Sequence, residues 1–142
     1  PVIFEIVEMK YTQTGSWKYE NKLIVKNSAT TAYENRKLYA ITYRNGERLT
    51  CVIPAINFQY YINNKPTGIR TIGGMGTNDF SWIPDATIFI DYSQGTFRPG
   101  DTIRFEVYDR DTNRIISSDT FPHREVSHEE KMMKEYLNHQ GA

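Results

Sequence analysis

The chain has 142 residues, 39% of them hydrophobic, which matches the size of one ordinary domain with its own core. Lys plus Arg and Asp plus Glu number 17 each, so the formal net charge is zero, which argues against a nucleic-acid backbone or an anionic membrane surface as partner. No stretch approaches the roughly 20 apolar residues that a membrane-spanning helix needs.

Short alternating or apolar runs, separated by turn residues, indicate β-strands along most of the chain. In chain order, the predicted strands are residues 4–11, 23–27, 37–44, 49–53, 87–92, 102–108 and 115–121, with 58–62 as a further short candidate. In the first strand, the alternation set by Phe4 and Ile6 slips in phase before Met9 and Tyr11. A polar loop is predicted over residues 28–35.

The strongest local signal is Asn45-Gly46 between two apolar runs, because both residues tolerate the positive φ of a type I′ turn. We therefore predict a hairpin with its turn at these residues. Cys51, the single cysteine, lies in the second apolar run, and this setting favours a small buried hydrophobe over a reactive thiol. A second hairpin is predicted near the end of the strand region, with residues 109–114 as its turn.

The middle of the chain, from Pro54 to Ile83, is irregular, and we predict a long excursion over the surface. Aromatic residues lie in or beside it: Phe58, Tyr60, Tyr61, Phe80 and Trp82. The favoured interpretation is burial, because a sandwich of this size needs large side chains to fill its core. The alternative is a binding role, in which Tyr60, Tyr61, Phe80 and Trp82 stack on sugar rings or anchor a protein partner.

The pattern changes after Pro122, which ends the last predicted strand. Ser127 and Glu130 have the spacing of a capping box, and apolar residues then recur at helical spacing up to Leu137. We predict a short helix over residues 127–138.

Seven or eight short strands with almost no helix predict an all-β fold. We expect an antiparallel β-sandwich, immunoglobulin-like or jelly-roll-like, over residues 1–122. Residues 123–142 are predicted to form one short C-terminal helix and a tail, packed on or extending from the same domain.

No enzyme motif is apparent. The three histidines, His123, His128 and His139, lack the spacing of a zinc site, and no Gly-x-Ser-x-Gly elbow accompanies them. We therefore predict that the protein is not an enzyme. The alternative is an enzyme whose residues are scattered in sequence, and its mark would be a concave pocket that gathers titratable groups with perturbed pKa values.

Asp109, Asp111 and Asn113 alternate at the tip of the second predicted hairpin. Spaced oxygen ligands of this kind can bind calcium, but the run lacks the central glycine and terminal glutamate of an EF-hand loop. An ordinary Asx-rich turn is the favoured interpretation, and a calcium site is the alternative. No other cofactor is predicted.

Residues 23–28, the hairpin at Asn45-Gly46 and above all Phe97-Arg98-Pro99-Gly100-Asp101 ahead of a strand resemble the soluble outer domains of archaeal type IV pilin-like proteins. The similarity extends in order over residues 20–121. In that family a class III signal peptide and a hydrophobic helix precede an extracellular β-sandwich. The resemblance implies that Pro1 follows such a helix, whereas the predicted C-terminal helix departs from the family pattern.

The expected function is that of a non-enzymatic extracytoplasmic β-sandwich at the cell surface, acting in filament assembly, cell-surface structure or adhesion. Its partners would be proteins of a surface filament or cell envelope, bound by surface complementarity through the excursion from Phe58 to Trp82. The alternative is a carbohydrate-binding or calcium-assisted adhesion module. We expect no nucleic-acid partner, and membrane attachment only through a segment absent from this chain.

Overall fold

The computed structural model describes residues 1–15, 19–56, 68–77, 80–123, 132–133 and 135–137. Strands make up most of this part of the chain. In order they are β1 (Phe4–Gln13), β2 (Tyr19–Asn27), β3 (Tyr33–Glu34), β4 (Leu38–Arg44), β5 (Glu47–Ile53), β6 (Ile69–Gly73), β7 (Ser81–Trp82), β8 (Thr87–Tyr92), β9 (Ile103–Asp109) and β10 (Ile115–Phe121). Short 3-10 turns occur at Asn35–Lys37 and Met75–Thr77.

The strands form two four-stranded sheets that enclose a common core. The first sheet has the order β1-β2-β8-β6 and the second has the order β10-β9-β4-β5. All pairings within them are antiparallel. Strands β3 and β7 form a separate small pair. The predicted all-β antiparallel sandwich is confirmed.

Side chains from both sheets fill the core. The largest fully buried ones include Trp82, Tyr92, Phe4, Phe97 and Phe105. The strict alternation of β9 places Ile103, Phe105 and Val107 on the buried face, as their sequence pattern predicted. Cys51 is also buried in this core, which confirms its interpretation as a small hydrophobe.

Strand β1 contains a β-bulge where its sequence alternation slips. Its pairing with β2 shifts between Ile6 and Glu8. Phe4, Ile6 and Met9 are therefore all buried, although their spacing is not strictly alternate. A bulge adds one residue to one strand of a pair, which is the physical origin of the phase slip in the sequence.

Both predicted hairpins are confirmed. Asn45 and Gly46 have φ values of 49° and 83°, as a type I′ turn requires, and they join the paired residues Arg44 and Glu47. Strands β9 and β10 pair around the second turn, which the hydrogen bond from the Asp109 N–H to the Arg114 carbonyl closes at 2.8 Å.

The predicted excursion between Pro54 and Ile83 is wrong in part, because it contains strands β6 and β7. Strand β6 forms an edge of the first sheet and buries Ile69 and Ile72. Its pairing with β8 shifts between Ile69 and Thr71, so its side chains do not alternate as a regular strand would. Likewise, β3 lies in the stretch predicted as a polar loop. The candidate strand at residues 58–62 lies outside the described residues.

Side chains of β10 join one edge of the second sheet to the start of β1. Ser117 Oγ accepts hydrogen bonds from the N–H groups of Ile3 and Phe4 at 3.0 and 2.9 Å. Asp119 Oδ2 accepts one from the N–H of Ile6 at 2.7 Å. Both side chains are buried, where they satisfy backbone donors of β1.

Residues 132–133 and 135–137 are helical, within the region predicted as a C-terminal helix. Their apolar side chains are 57–59% exposed: Met132, Met133, Tyr136 and Leu137. The predicted capping box at Ser127 and Glu130 lies outside the described residues. Within the described part of the chain, no helix is long and apolar enough to cross a membrane.

Candidate functional site

The predicted aromatic binding residues occupy different environments. Trp82 is fully buried: its ring stacks on Phe4 with centroids 4.4 Å apart, and its Nε1–H donates to the Ala86 carbonyl at 2.7 Å. The favoured interpretation, in which Trp82 is a core residue, is therefore confirmed. The alternative, in which a ligand stacks on its ring, is wrong because the ring is not exposed. Phe80 is 85% exposed. Tyr60 and Tyr61 lie outside the described residues, as does Phe58.

The turn at Asp109, Asp111 and Asn113, for which an Asx-rich turn was favoured over a calcium site, is closed by its own hydrogen bonds. Asp109 Oδ1 accepts from the N–H of Asp111 at 2.8 Å and from that of Thr112 at 3.1 Å, which is the geometry of an Asx turn. Asn113 Oδ1 accepts from the Tyr39 hydroxyl. Among the described residues, no three His, Cys, Asp or Glu side chains are grouped to hold a metal ion.

The distinctive Phe97–Asp101 segment has a structural role at one end of the sandwich. Phe97 is fully buried, and its ring meets Tyr92 edge to face at 5.1 Å. The Asn21 side chain on β2 makes two hydrogen bonds to the backbone of Phe97: Nδ2 donates to the Phe97 carbonyl at 2.9 Å, and Oδ1 accepts from the Phe97 N–H at 2.7 Å. The segment that connects β8 with β9 is thus fixed to the first sheet.

Asp101 ties the same segment to the Asn45-Gly46 hairpin. Its carboxylate accepts hydrogen bonds from the Arg98 N–H at 2.7 Å, Arg44 Nε at 2.7 Å and Asn45 Nδ2 at 3.1 Å. Burial pushes the pKa of this carboxyl up, but these hydrogen bonds and the Arg44 charge outweigh burial and lower the pKa. Two segments that carry the sequence resemblance are therefore in direct contact.

The outer faces of the two sheets differ in chemistry. On the first sheet, charged side chains surround the paired Ile24 and Phe89, and Lys22 Nζ lies 4.6 Å from the centroid of the Phe89 ring. The charged residues of this face are Glu5, Glu8, Lys10, Glu20, Lys22, Lys26 and Asp91. Such mixed Lys and Glu surfaces are typical of solvent-facing sheets. We call the outer face of the second sheet the tyrosine face, and define it by Tyr39, Ile41 and Tyr43 on β4 with Arg104, Glu106 and Tyr108 on β9.

Register places these six residues side by side. Tyr39 pairs with Tyr108, Ile41 with Glu106, and Tyr43 with Arg104. The rings of Tyr39 and Tyr108 stack in parallel, with centroids 4.9 Å apart and an interplanar angle of 4°. Ile41 is only 6% exposed, although its pairing with Glu106 places it on this outer side of the sheet. The tyrosine face is therefore a compact, ordered surface.

Arg104 and Glu106 give this surface its charges. The Arg104 guanidinium lies over the Tyr43 ring, 3.9 Å from its centroid. Its Nε lies 3.5 Å from Glu106 Oε2, but it is buried without a hydrogen bond among the described residues. Glu106 Oε1 instead accepts from the Tyr108 hydroxyl at 3.0 Å. Burial, followed by this hydrogen bond and the Glu106 charge, raises the pKa of Tyr108 to about 12.

The solved structures that are similar to the chain include two archaellum stator structures. One is the archaellum periplasmic stator protein FlaG from Sulfolobus acidocaldarius: it is 11% identical, the TM-score is 0.48, and 83% of this chain and 95% of that chain are covered. The other is the archaellum periplasmic stator protein complex FlaF and FlaG from the same organism, at 11% identity and a TM-score of 0.46, with 85% and 88% covered. No family model and no curated protein matches the sequence.

Sequence reasoning missed the tyrosine face. The alternation of β9 indicated that Arg104, Glu106 and Tyr108 share the side opposite the core. The pattern could not show which strand lies beside β9, because its partner β4 is far away in the sequence. Knowledge of that pairing and its register would have assembled the face from two alternating strands.

Proposed function

We propose that this chain is a non-enzymatic, extracytoplasmic β-sandwich of a pilin-like surface protein, which acts in filament assembly, cell-surface structure or adhesion by binding other proteins. The observation that carries the proposal is the tyrosine face. A stator role, for which the two similar structures are named, is one form of such a function.

The composition of the tyrosine face favours a protein partner. Tyrosine and arginine are enriched at the energetically important centres of protein interfaces, whereas lysine and glutamate are depleted there. The face has three tyrosines and one arginine among its six residues, while Lys10, Lys22 and Lys26 all lie on the opposite sheet. Stacking and cation–π contacts already order the rings, so binding would cost little side-chain entropy.

The contact between the resemblance segments supports the pilin-like part of the proposal. Asp101 joins the Phe97–Asp101 segment to the Asn45-Gly46 hairpin, so that the shared residues build one corner of the sandwich. A corner with a dedicated hydrogen-bond network is a feature that related folds can retain while the rest of the sequence changes.

Cell-surface exposure and assembly test the proposal together. In the source organism, an antibody against this domain should label intact cells and should detect the protein in the isolated surface-filament fraction. The variant Tyr39→Ser/Tyr108→Ser should reach the surface but lose incorporation, whereas the control Lys22→Ser on the opposite sheet should incorporate normally. Detection in the cytosol alone, or equal incorporation of the two variants, would contradict the proposal.

Carbohydrate-dependent adhesion is the second candidate, and the exposure of Phe80 is the observation that favours it. An aromatic side chain that is 85% exposed presents a face on which a pyranose ring can stack. Binding on a glycan array that the Phe80→Ala substitution abolishes would support this candidate. An array without signal for the wild-type domain would exclude it.

A further inference from the structure

We infer that Asn45 is a latent site of spontaneous deamidation, which the contacts of Asn45 with Asp101 and Thr102 keep closed in the folded protein. The modification is the conversion of a side-chain amide to a carboxylate, and it needs water but no enzyme. This inference does not depend on which partner the protein binds.

The residue pair at the hairpin turn has the chemistry for this reaction. Asn45-Gly46 is the single Asn-Gly pair of the sequence, and Gly46 has no side chain to shield its backbone nitrogen. That nitrogen, once a base in solution has taken its proton, attacks Asn45 Cγ and closes a five-membered succinimide ring. The bond from Cγ to Nδ2 breaks, and the leaving nitrogen takes a proton from water and departs as ammonia. Water then opens the ring to aspartate or isoaspartate.

The conformation of the turn opposes ring closure. The ring requires Cβ of Asn45 and the nitrogen of Gly46 to lie on the same side of the Cα–C bond that separates them. The φ values of 49° and 83° are those of a type I′ turn, in which the first central residue has a ψ of about +30°. At this ψ the two atoms lie on nearly opposite sides of the bond, so the turn must distort before the attack.

Hydrogen bonds hold the side-chain amide in place at both of its ends. Asn45 Oδ1 accepts from the Thr102 N–H at 2.8 Å, and Nδ2 donates to the Asp101 carboxylate at 3.1 Å. The backbone N–H of Asn45 also donates to the Thr102 carbonyl at 2.8 Å. The amide carbon therefore cannot turn toward Gly46 until bonds at both ends of the side chain have broken.

The product of the reaction would not fit the same position. A carboxylate at residue 45 would bring an oxygen to the place where an N–H donor now contacts Asp101, and two like charges at this distance repel. Isoaspartate would in addition lengthen the backbone of a two-residue turn. This corner of the sandwich closes around the unmodified amide only.

Deamidation rates test the protection directly. The wild-type chain is incubated in mildly alkaline buffer, folded and in parallel unfolded in urea, and peptide mapping by mass spectrometry follows the conversion of Asn45. We expect the reaction to be roughly a hundredfold slower in the folded chain, because the hydrogen bonds of the amide must break first. Asp101→Ala removes the acceptor of Asn45 Nδ2, so it should raise the rate in the folded chain about tenfold.

Asn21→Ala is the matched control. It removes two hydrogen bonds from Phe97 in the same segment but none from Asn45, so it should lower stability and leave the deamidation rate near that of the wild type. Circular dichroism verifies folding, and Asp101→Asn, which retains an acceptor oxygen, replaces Asp101→Ala if that variant does not fold; its rate should lie between those of the folded and the unfolded wild type.

Equal rates in the folded and the unfolded wild type would overturn the inference. A rate for the Asp101 variant that is no higher than that of the wild type would overturn it as well. So would an equal acceleration in Asn21→Ala, because the protection would then come from overall stability rather than from the contacts of Asn45. Each of these outcomes leaves the proposed function untouched, since none involves the tyrosine face.

Discussion

The close packing around Trp82 makes a sharp prediction for Gly76. A Cβ atom placed on Gly76 would lie 2.7 Å from Cδ1 and Nε1 of Trp82 and 2.8 Å from Cγ2 of Ile88. Both neighbours are buried, and the indole is fixed by its hydrogen bond to Ala86, so neither can move away cheaply. The Gly76→Ala substitution should therefore overpack this part of the core.

The expected size follows from two opposing effects. Overpacking a rigid core costs about 1–3 kcal/mol, while the lower backbone entropy of alanine in the unfolded chain returns about 0.4–1 kcal/mol. We expect a net loss of roughly 1–2 kcal/mol in the free energy of unfolding, measured by urea denaturation followed by far-ultraviolet circular dichroism. Gly15→Ala is the matched control, because no atom of the described residues, its chain neighbours aside, lies within 4 Å of its Cβ position. It should leave stability within about 0.5 kcal/mol of wild type.

A second background separates steric overlap from other causes. In the Trp82→Phe variant the smaller ring should leave room for the methyl group, so alanine at Gly76 should cost less than in the wild type. Equal stability of Gly76→Ala and Gly15→Ala, or an undiminished cost beside the smaller ring, would refute the packing argument.

Three further substitutions test polar contacts. Asn21→Ala leaves the buried N–H and carbonyl of Phe97 without partners, so urea denaturation should show a loss of roughly 2–4 kcal/mol in the free energy of unfolding. A variant as stable as the wild type would contradict the role of these two hydrogen bonds. Asp101→Asn should destabilise the protein at neutral pH and flatten its loss of stability in acid. The pKa of the Asp101 carboxyl is lower in the folded protein than its unfolded value of about 3.9, so the carboxylate stabilises the fold at pH values above the unfolded pKa and stops doing so as the pH falls through the folded pKa. Parallel curves of stability against pH for the wild type and the variant would refute this reasoning. Tyr108→Phe should reduce the loss of stability at alkaline pH. The phenol has a pKa of about 12 in the folded protein and about 10 in the unfolded chain, so it stabilises the fold below about pH 10 and loses this effect as the pH rises from the unfolded to the folded pKa. An unchanged loss of stability at alkaline pH would count against the contact with Glu106.

Local signals predicted the parts of the fold that local physics determines. Asn45-Gly46 specifies its turn through backbone conformation alone, and the φ values of 49° and 83° follow from the two residue types. The slip between Ile6 and Met9 likewise revealed a bulge before any pairing partner was known. Strand β6 escaped prediction because a similar bulge falls within only five residues, which leaves too short a pattern on either side.

The candidate site depended on contacts between distant parts of the chain. For Trp82 the sequence left burial and ligand stacking as alternatives. Burial follows from the approach of Phe4 at 4.4 Å and from the absence of a side chain on Gly76, neither of which periodicity can show. Tyr39 and Tyr108 each looked like one residue of an alternating strand, and only their register brings their rings into a stack.

Strand β10 illustrates why polar residues can occupy core positions. Ile115 is 47% exposed and Ile116 packs partly buried against the core, because the pairing of β10 with β9 shifts between Ile115 and Ser117. Beyond this shift, Ser117 and Asp119 are the buried residues. They suit these positions because the backbone of β1, rather than a side chain, arrives at this edge, with N–H groups that need acceptors. Short polar side chains satisfy those donors, whereas a valine or leucine would leave them unpaired at a cost of about 1–3 kcal/mol each. Polar residues at inward positions of a strand can therefore indicate the approach of another segment's backbone, and in this chain they mark where β1 joins the second sheet.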